Sequence, residues 1–409
     1  MAIREQLKRY NADEILFFLA VIFKPLYLLP SGSFQIGDFL FLSAVLVHFL
    51  ASADRDLLFP IHREEQTLLI FVLGVTVINY IYWMILGNSD FIKNTIYYIF
   101  NYLIVIFAAD ILQTNRRDAF LKGLCSACKV VLLFQFFIYL TGLANLYGNE
   151  RYMGTFNDPN QFAVYILFCI LIMLDIYHEI NLKVLLWLAL GLFLIIPSGS
   201  TGSVLGVAVF LALYIMMLAS NLSKQIRIAA VAVVLLFAVL FVILQITGGS
   251  ASGSGVLNMM NSRLESKLKN ATGISDMFNF LVNDRVWNRV FEQPKYLLYG
   301  AGEGAHSRFD LNLVAHEIHS SILGPPFYYG IGIAFFMFRW IYLKLRHIDT
   351  FQLCIYCAII TESLILVNYR QPLFWFLFVL AGRDRSDRLA IGAINEAGNI
   401  DSIAIQSVN

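Results

Sequence analysis

The chemistry this chain could do rests on one histidine pair and a few arginines. His316, Glu317 and His319 place two imidazoles and a carboxylate at the head of an apolar run. Ionisable groups at a membrane entry are costly and are kept where they do something. The histidines are three apart rather than four, so the frame of an H-E-x-x-H zinc helix is missing and no metal is expected. A neutral imidazole can accept a proton from a hydroxyl, which makes a general base the natural role. The plain alternative is an interfacial pair solvated by water. His319 is expected one turn along a helix, at the mouth of a cavity, with His316 nearer the solvent.

Arg151 opens the stretch 151–160 as its only strong positive charge, and Asn157 and Asn160 bracket the turn that follows. It is either a loop-end arginine at the lipid headgroups or a guanidinium placed to bind phosphate bidentately. Arg285 and Arg289 stand four apart in a segment, 276–292, that reads as an amphipathic helix. They could clamp a diphosphate, although pairing with Asp284 or Glu292 is the blander reading that spacing alone favours. Asn157, Asn160, His316, Glu317 and Arg370 are assigned to substrate binding. The run 198–203, Ser-Gly-Ser-Thr-Gly-Ser after Pro197, reads as a tight turn, with the lining of a cavity as the alternative.

The elements that must hold these residues are membrane helices. Of 409 residues, 59% are hydrophobic and 14% charged. A soluble domain carries roughly 25% charge. Apolar runs approach the ~20 residues needed to cross a bilayer. The clearest, Ile228 to Ile246, has a single polar residue, Gln245. Spans are expected near 14–30, 34–51, 67–86, 94–112, 119–141, 161–177, 184–197, 203–219, 228–247, 317–343, 350–369 and 372–382. The fold class is therefore all-α, a polytopic integral membrane bundle of about twelve helices. It forms one domain over 1–409, with one long, partly helical outer (periplasmic) loop at 248–316.

Lys/Arg placement sets the orientation. With the N-terminal Arg4, Lys8 and Arg9 inside, the cytoplasmic segments also collect Arg55, Arg63, Arg116, Arg117, Lys183, Lys344, Arg346 and Arg383. The short outer loops hold only Lys93, Arg151 and Arg370. Both termini are expected in the cytoplasm. A net charge of +1 gives no sign of a nucleic-acid partner, and none is expected. Cys125/Cys128 and Cys354/Cys357 lie inside apolar spans, where cysteine acts as a small packing residue. The first apolar segment lacks a signal-peptide cleavage pattern.

Arg151 with Gly154-Thr-Phe and Asn157-Asp-Pro-Asn160 resembles the R-x-x-G-T-F-x-N-P-N signature of the bacterial O-antigen polymerase/ligase family. The 198–202 turn is similar to that family's small-residue turn, without the arginine the turn often carries. Arg285, Trp287 and Gly300-Ala-Gly302 look like its R…W…G-x-G run. His319-Ser320, Gly330 and Gly332 resemble its closing pattern. The matches cover about 151–332. The resemblance implies a glycosyltransferase of the inner (cytoplasmic) membrane that needs no cofactor. Its donor would be a polyprenyl-diphosphate-linked oligosaccharide, with Arg151, Arg285, Arg289 and His319 catalytic. The expected partners are that lipid, the bilayer, a chain-length regulator and a flippase. A polymerase is preferred, a ligase acting on lipid A core is the near alternative, and a lipid-linked glycan flippase is the alternative of another class. A flippase should carry charges deep within its spans, and here Lys24, Asp38, Lys129 and Glu362 are few.

Overall fold

The structure is a computed structural model that describes residues 10–29, 34–51, 63–147, 151–220, 282, 285–309 and 317–382. Among them are thirteen α-helices. They are α1 (Ala12–Phe23), α2 (Ile36–Ala51), α3 (Arg63–Leu86), α4 (Asp90–Ile111), α5 (Arg117–Thr141), α6 (Pro159–Tyr177), α7 (Leu182–Ile195) and α8 (Thr201–Ser220). The short α9 (Asn288–Glu292) and α10 (Tyr296–Tyr299) precede α11 (Gly324–Leu345), α12 (Thr350–Ile365) and α13 (Pro372–Ala381). Two short strands, β1 (Asn145–Tyr147) and β2 (Arg151–Gly154), form an antiparallel ribbon between α5 and α6.

Among the described residues, five helices, α3 to α6 and α8, are long and apolar enough to cross a membrane. Helix α6 forms the centre and packs against α5, α7, α8, α12 and α13. Helix α3 instead turns Leu73, Val77, Met84 and Ile85 outward. Large apolar side chains on the outside of an apolar bundle are what lipid contact requires.

The bundle has two polar ends. One carries ion pairs between Glu14 and Arg116 at 2.8 Å and between Lys344 and Glu65 at 2.5 Å. The other, the Arg370 end, collects the ribbon, the start of α6, the segment 285–309 and the links 317–323 and 366–371.

Local signals explain the borders at that end. Pro159 opens α6 where no donor is needed, and the Asp158 carboxylate caps it by accepting from the backbone N–H groups of Asn160 and Gln161 at 2.8 and 2.9 Å. Helix α11 begins at Gly324, ahead of Pro325 and Pro326. The tenth span was expected from residue 317, so the helix starts seven residues later than the apolar pattern suggests. Prolines are tolerated in a helix's first turn but not in its interior, so a helix containing Pro325 and Pro326 starts at Gly324 and cannot run back to Glu317. His319 accordingly lies outside any helix, contrary to its expected place on one. Of the helix expected over 276–292, the described part is broken: Val286 takes a left-handed φ of 58°, and only Asn288–Glu292 is helical. Arg285 and Arg289 are therefore not neighbours on one helical face. The expected span 228–247, most of the long loop, Asp284 and His316 lie outside the described residues.

Candidate functional site

Gly330 breaks α11 with a φ of 74°. Just ahead of the break, the carbonyls of Phe327 and Tyr328 accept from the backbone N–H groups of Ala301 and Gly302 at 3.0 and 2.7 Å. The chain 300–304 is thereby drawn against the helix. A Cβ on Gly300 would stand 2.7 Å from the Tyr328 carbonyl oxygen, so no larger residue fits there. Arg308 clasps the same loop by donating to the carbonyls of Ala301 and Gly302, with its guanidinium over the rings of Tyr82 and Phe309.

This arrangement carries Glu303 into the bundle, where its side chain is fully buried. Its backbone N–H donates to Asn79 at 2.9 Å and its carbonyl accepts from Asn94 at 2.8 Å. Its carboxylate accepts from Tyr329 at 2.7 Å, Tyr369 at 3.0 Å and Arg370 at 2.5 Å. A buried charge is tolerable only when paired and hydrogen-bonded, and both conditions are met. Arg370 also forms a two-pronged pair with Glu317 at 3.1 and 2.5 Å. The Arg370 Nε is buried with no partner among the described residues.

Arg370 and Glu317, with Gln161 and Gln371, line two adjoining cavities. The larger, about 320 Å³, adds Lys24, Tyr27, Asp90, Lys93, Asn94, Tyr97 and His306. The smaller, about 230 Å³, adds Asp158, Asn160, His319 and Asn368. Lys24 is already paired with Asp38 at 2.6 Å, whereas Lys93 forms no ion pair among the described residues.

The electrostatics follow from burial and pairing. Burial raises the Glu317 carboxyl, but the Arg370 guanidinium more than offsets this and holds it below the usual carboxylate value. Burial alone would lower Arg370; Glu317 and Glu303 outweigh it and hold the guanidinium firmly charged. Burial pushes His306 below the ordinary imidazole value, although Glu317 and Glu303 pull the other way.

The sequence-derived candidates divide into two groups. Glu317, His319, Asn160 and Arg370 line the smaller cavity together. His319 is held by its backbone: its N–H donates to the Arg285 carbonyl at 3.0 Å. Arg151, Arg285 and Arg289 line neither cavity. Arg151 is buried in β2, donating to the Ser198 carbonyl at 2.7 Å and to Asn160 at 3.0 Å. It reaches the cavity through Asn160, and it joins the ribbon to the short link at Ser198–Ser200; of the expected 198–203 turn, residues from Thr201 onward already belong to α8. Arg289 is buried over the Phe309 ring. Asn157 donates to the Leu29 carbonyl at 3.3 Å, away from both cavities.

Glu303, His306, Tyr369 and Asn94 were not anticipated. The signal for Glu303 was Gly300-Ala-Gly-Glu-Gly304, a carboxylate between glycines that let backbone approach backbone. No protein-family model matches this chain, and no curated protein matches it.

Proposed function

We propose that the chain is a membrane glycosyltransferase that joins lipid-linked glycans at the Arg370 end of its bundle. The donor is an oligosaccharide on a polyprenyl diphosphate, and the preferred reaction is polymerisation of such units into O-antigen or a similar polysaccharide. About twelve spans cross the bacterial inner membrane, with both termini in the cytoplasm and the Arg370 end outside. One observation carries the reading. Two polar cavities share the Arg370–Glu317 wall at one end of an apolar bundle. Two substrates with lipid tails and polar heads need that partition.

In this reading the larger cavity takes the diphosphate, against Arg370 and Lys93. The smaller one takes the acceptor sugar, whose hydroxyls suit the amides of Asn160, Gln161, Asn368 and Gln371. The acceptor oxygen bonds to the anomeric carbon as the bond from that carbon to the diphosphate oxygen breaks. The lipid diphosphate leaves with the electron pair, and His319 takes the hydroxyl proton. Fixed cationic donors at a leaving group supply stabilisation without a metal. Arg151 supports Asn160 from behind, and Arg285 supports the His319 backbone.

Purified protein given only a polyprenyl-diphosphate-linked oligosaccharide should lengthen the glycan, and His319→Ala should slow it by roughly 100-fold or more. Product formed only when lipid A core is added would make the enzyme a ligase. Passage of the lipid across a liposome with no new glycosidic bond would make it a carrier and sink the proposal.

A further inference from the structure

Lys129 lies on α5 beside Tyr177, the last residue of α6, and is unused by the chemistry above. Its ammonium stands 5.3 Å from the centre of the Tyr177 ring and 5.7 Å from that of Trp187. Cation–π contacts of this kind soften the cost of an ammonium among apolar groups without cancelling its charge. No carboxylate pairs with it among the described residues. Neither acid of the adjoining α6–α7 stretch lines the groove: Glu179 accepts from Asn181 at 2.8 Å, and Asp175 accepts from Gln352 at 3.0 Å.

The three side chains border a groove of about 390 Å³ between α5, the end of α6 and α7. Leu133 and Leu190 give it an apolar floor, and Lys183 also lines it. Among the described residues, the only charged ones lining it are the two lysines. Such a groove is long on hydrocarbon and short on anion. A ligand that matches it has an acyl chain for the leucines and a negative headgroup for the lysines. Tyr and Trp rings also favour the depth of the headgroups.

We infer that this groove is a binding site for an anionic phospholipid, with its phosphate between Lys129 and Lys183 and one acyl chain along Leu133 and Leu190. The site lies at the end of the bundle opposite Arg370, next to the start of α7 at Leu182. On the Lys/Arg bias this is the cytoplasmic leaflet, where anionic lipids attract basic residues. The inference rests on the chain being embedded in a membrane and stands whether or not the chain transfers sugars.

Full-length protein in neutral detergent can be offered phosphatidylglycerol or phosphatidylcholine of the same acyl chains, and retained lipid counted by native mass spectrometry. Phosphatidylglycerol should stay bound preferentially, one per chain at this site. Lys129→Gln should weaken its retention about fivefold, the effect of one lysine at a membrane surface. Lys129→Arg should keep it. If Lys129→Gln does not fold, Lys183→Gln answers the same question with the groove floor intact. Equal retention of both lipids would overturn the proposal. So would retention unchanged by loss of either lysine, displacement of the lipid by millimolar inorganic phosphate alone, or a lipid-free dimer that occludes the groove.

Discussion

At the scale of single residues, the site turns on how buried charges are balanced. Arg370 is one cation shared by two carboxylates, and the hydroxyls of Tyr329 and Tyr369 take up part of the Glu303 charge. Two acid-side titrations follow. Glu317 has a folded value below its ordinary 4.5, so its contribution is present above that pH and is lost as pH falls through the lower folded value. His306 is a base whose folded value lies below its ordinary 6.5. The unfolded chain binds that proton more readily, so stability drops as pH falls below about 6.5. Thermal melts of detergent-solubilised protein between pH 7 and 3 should show both windows. His306→Gln should remove the upper decline and Glu317→Gln the lower one, the latter with a lower melting temperature at pH 7. An upper decline equal in wild type and His306→Gln would show that this imidazole is not held neutral. None of this balance was legible in advance. Arg370 and Glu317 were named from their outer position, but Glu303 and His306 have no periodic pattern, and the partners of Glu303 come from α3, α4, α11 and the 366–371 link.

At the scale of elements, apolar runs predicted most helices well, because a long lipid-compatible run has few alternatives. Expected 119–141 and 161–177 became Arg117–Thr141 and Pro159–Tyr177. The start of α11 was misread because hydropathy does not register the backbone limits that Pro325 and Pro326 impose. The break at Gly330 was visible only as a glycine in a motif. Its role depends on a partner loop some thirty residues earlier. That role separates two glycines close in sequence. Gly330 needs its positive φ, and an added Cβ would meet the Leu298 carbonyl oxygen at 2.8 Å. Gly332 has nothing within 4 Å. Gly330→Ala should destabilise the protein by about 1–3 kcal/mol and loosen Glu303 from α11. Gly332→Ala should be neutral, or stabilising by up to about 1 kcal/mol. Melting temperatures of the two variants side by side would check this, and equal effects would remove the kink from the account of the site.

At the scale of the whole molecule, polar groups gather at two ends of an apolar bundle, and the two cavities that share Arg370 and Glu317 lie together at one of them. In the proposed orientation, which rests on the Lys/Arg bias, that end faces the periplasmic side. Lys93 and Asp118 mark opposite ends and are both exposed. A cysteine at 93 should react with an impermeant maleimide in intact cells, and one at 118 only after permeabilisation. The reverse pattern would put the site in the cytoplasm and remove the lipid-linked donor from its reach. The chemistry itself is best read from the leaving group. Released polyprenyl diphosphate can be counted against glycosidic bonds formed, for purified wild type and Arg370→Lys. The lysine keeps a positive charge beside Glu303 and Glu317 but not the two-pronged geometry. One diphosphate per bond is expected from wild type, and turnover roughly 100-fold lower from a folded Arg370→Lys. Wild-type turnover in that variant, or no diphosphate released by wild type, would contradict a transferase built around Arg370.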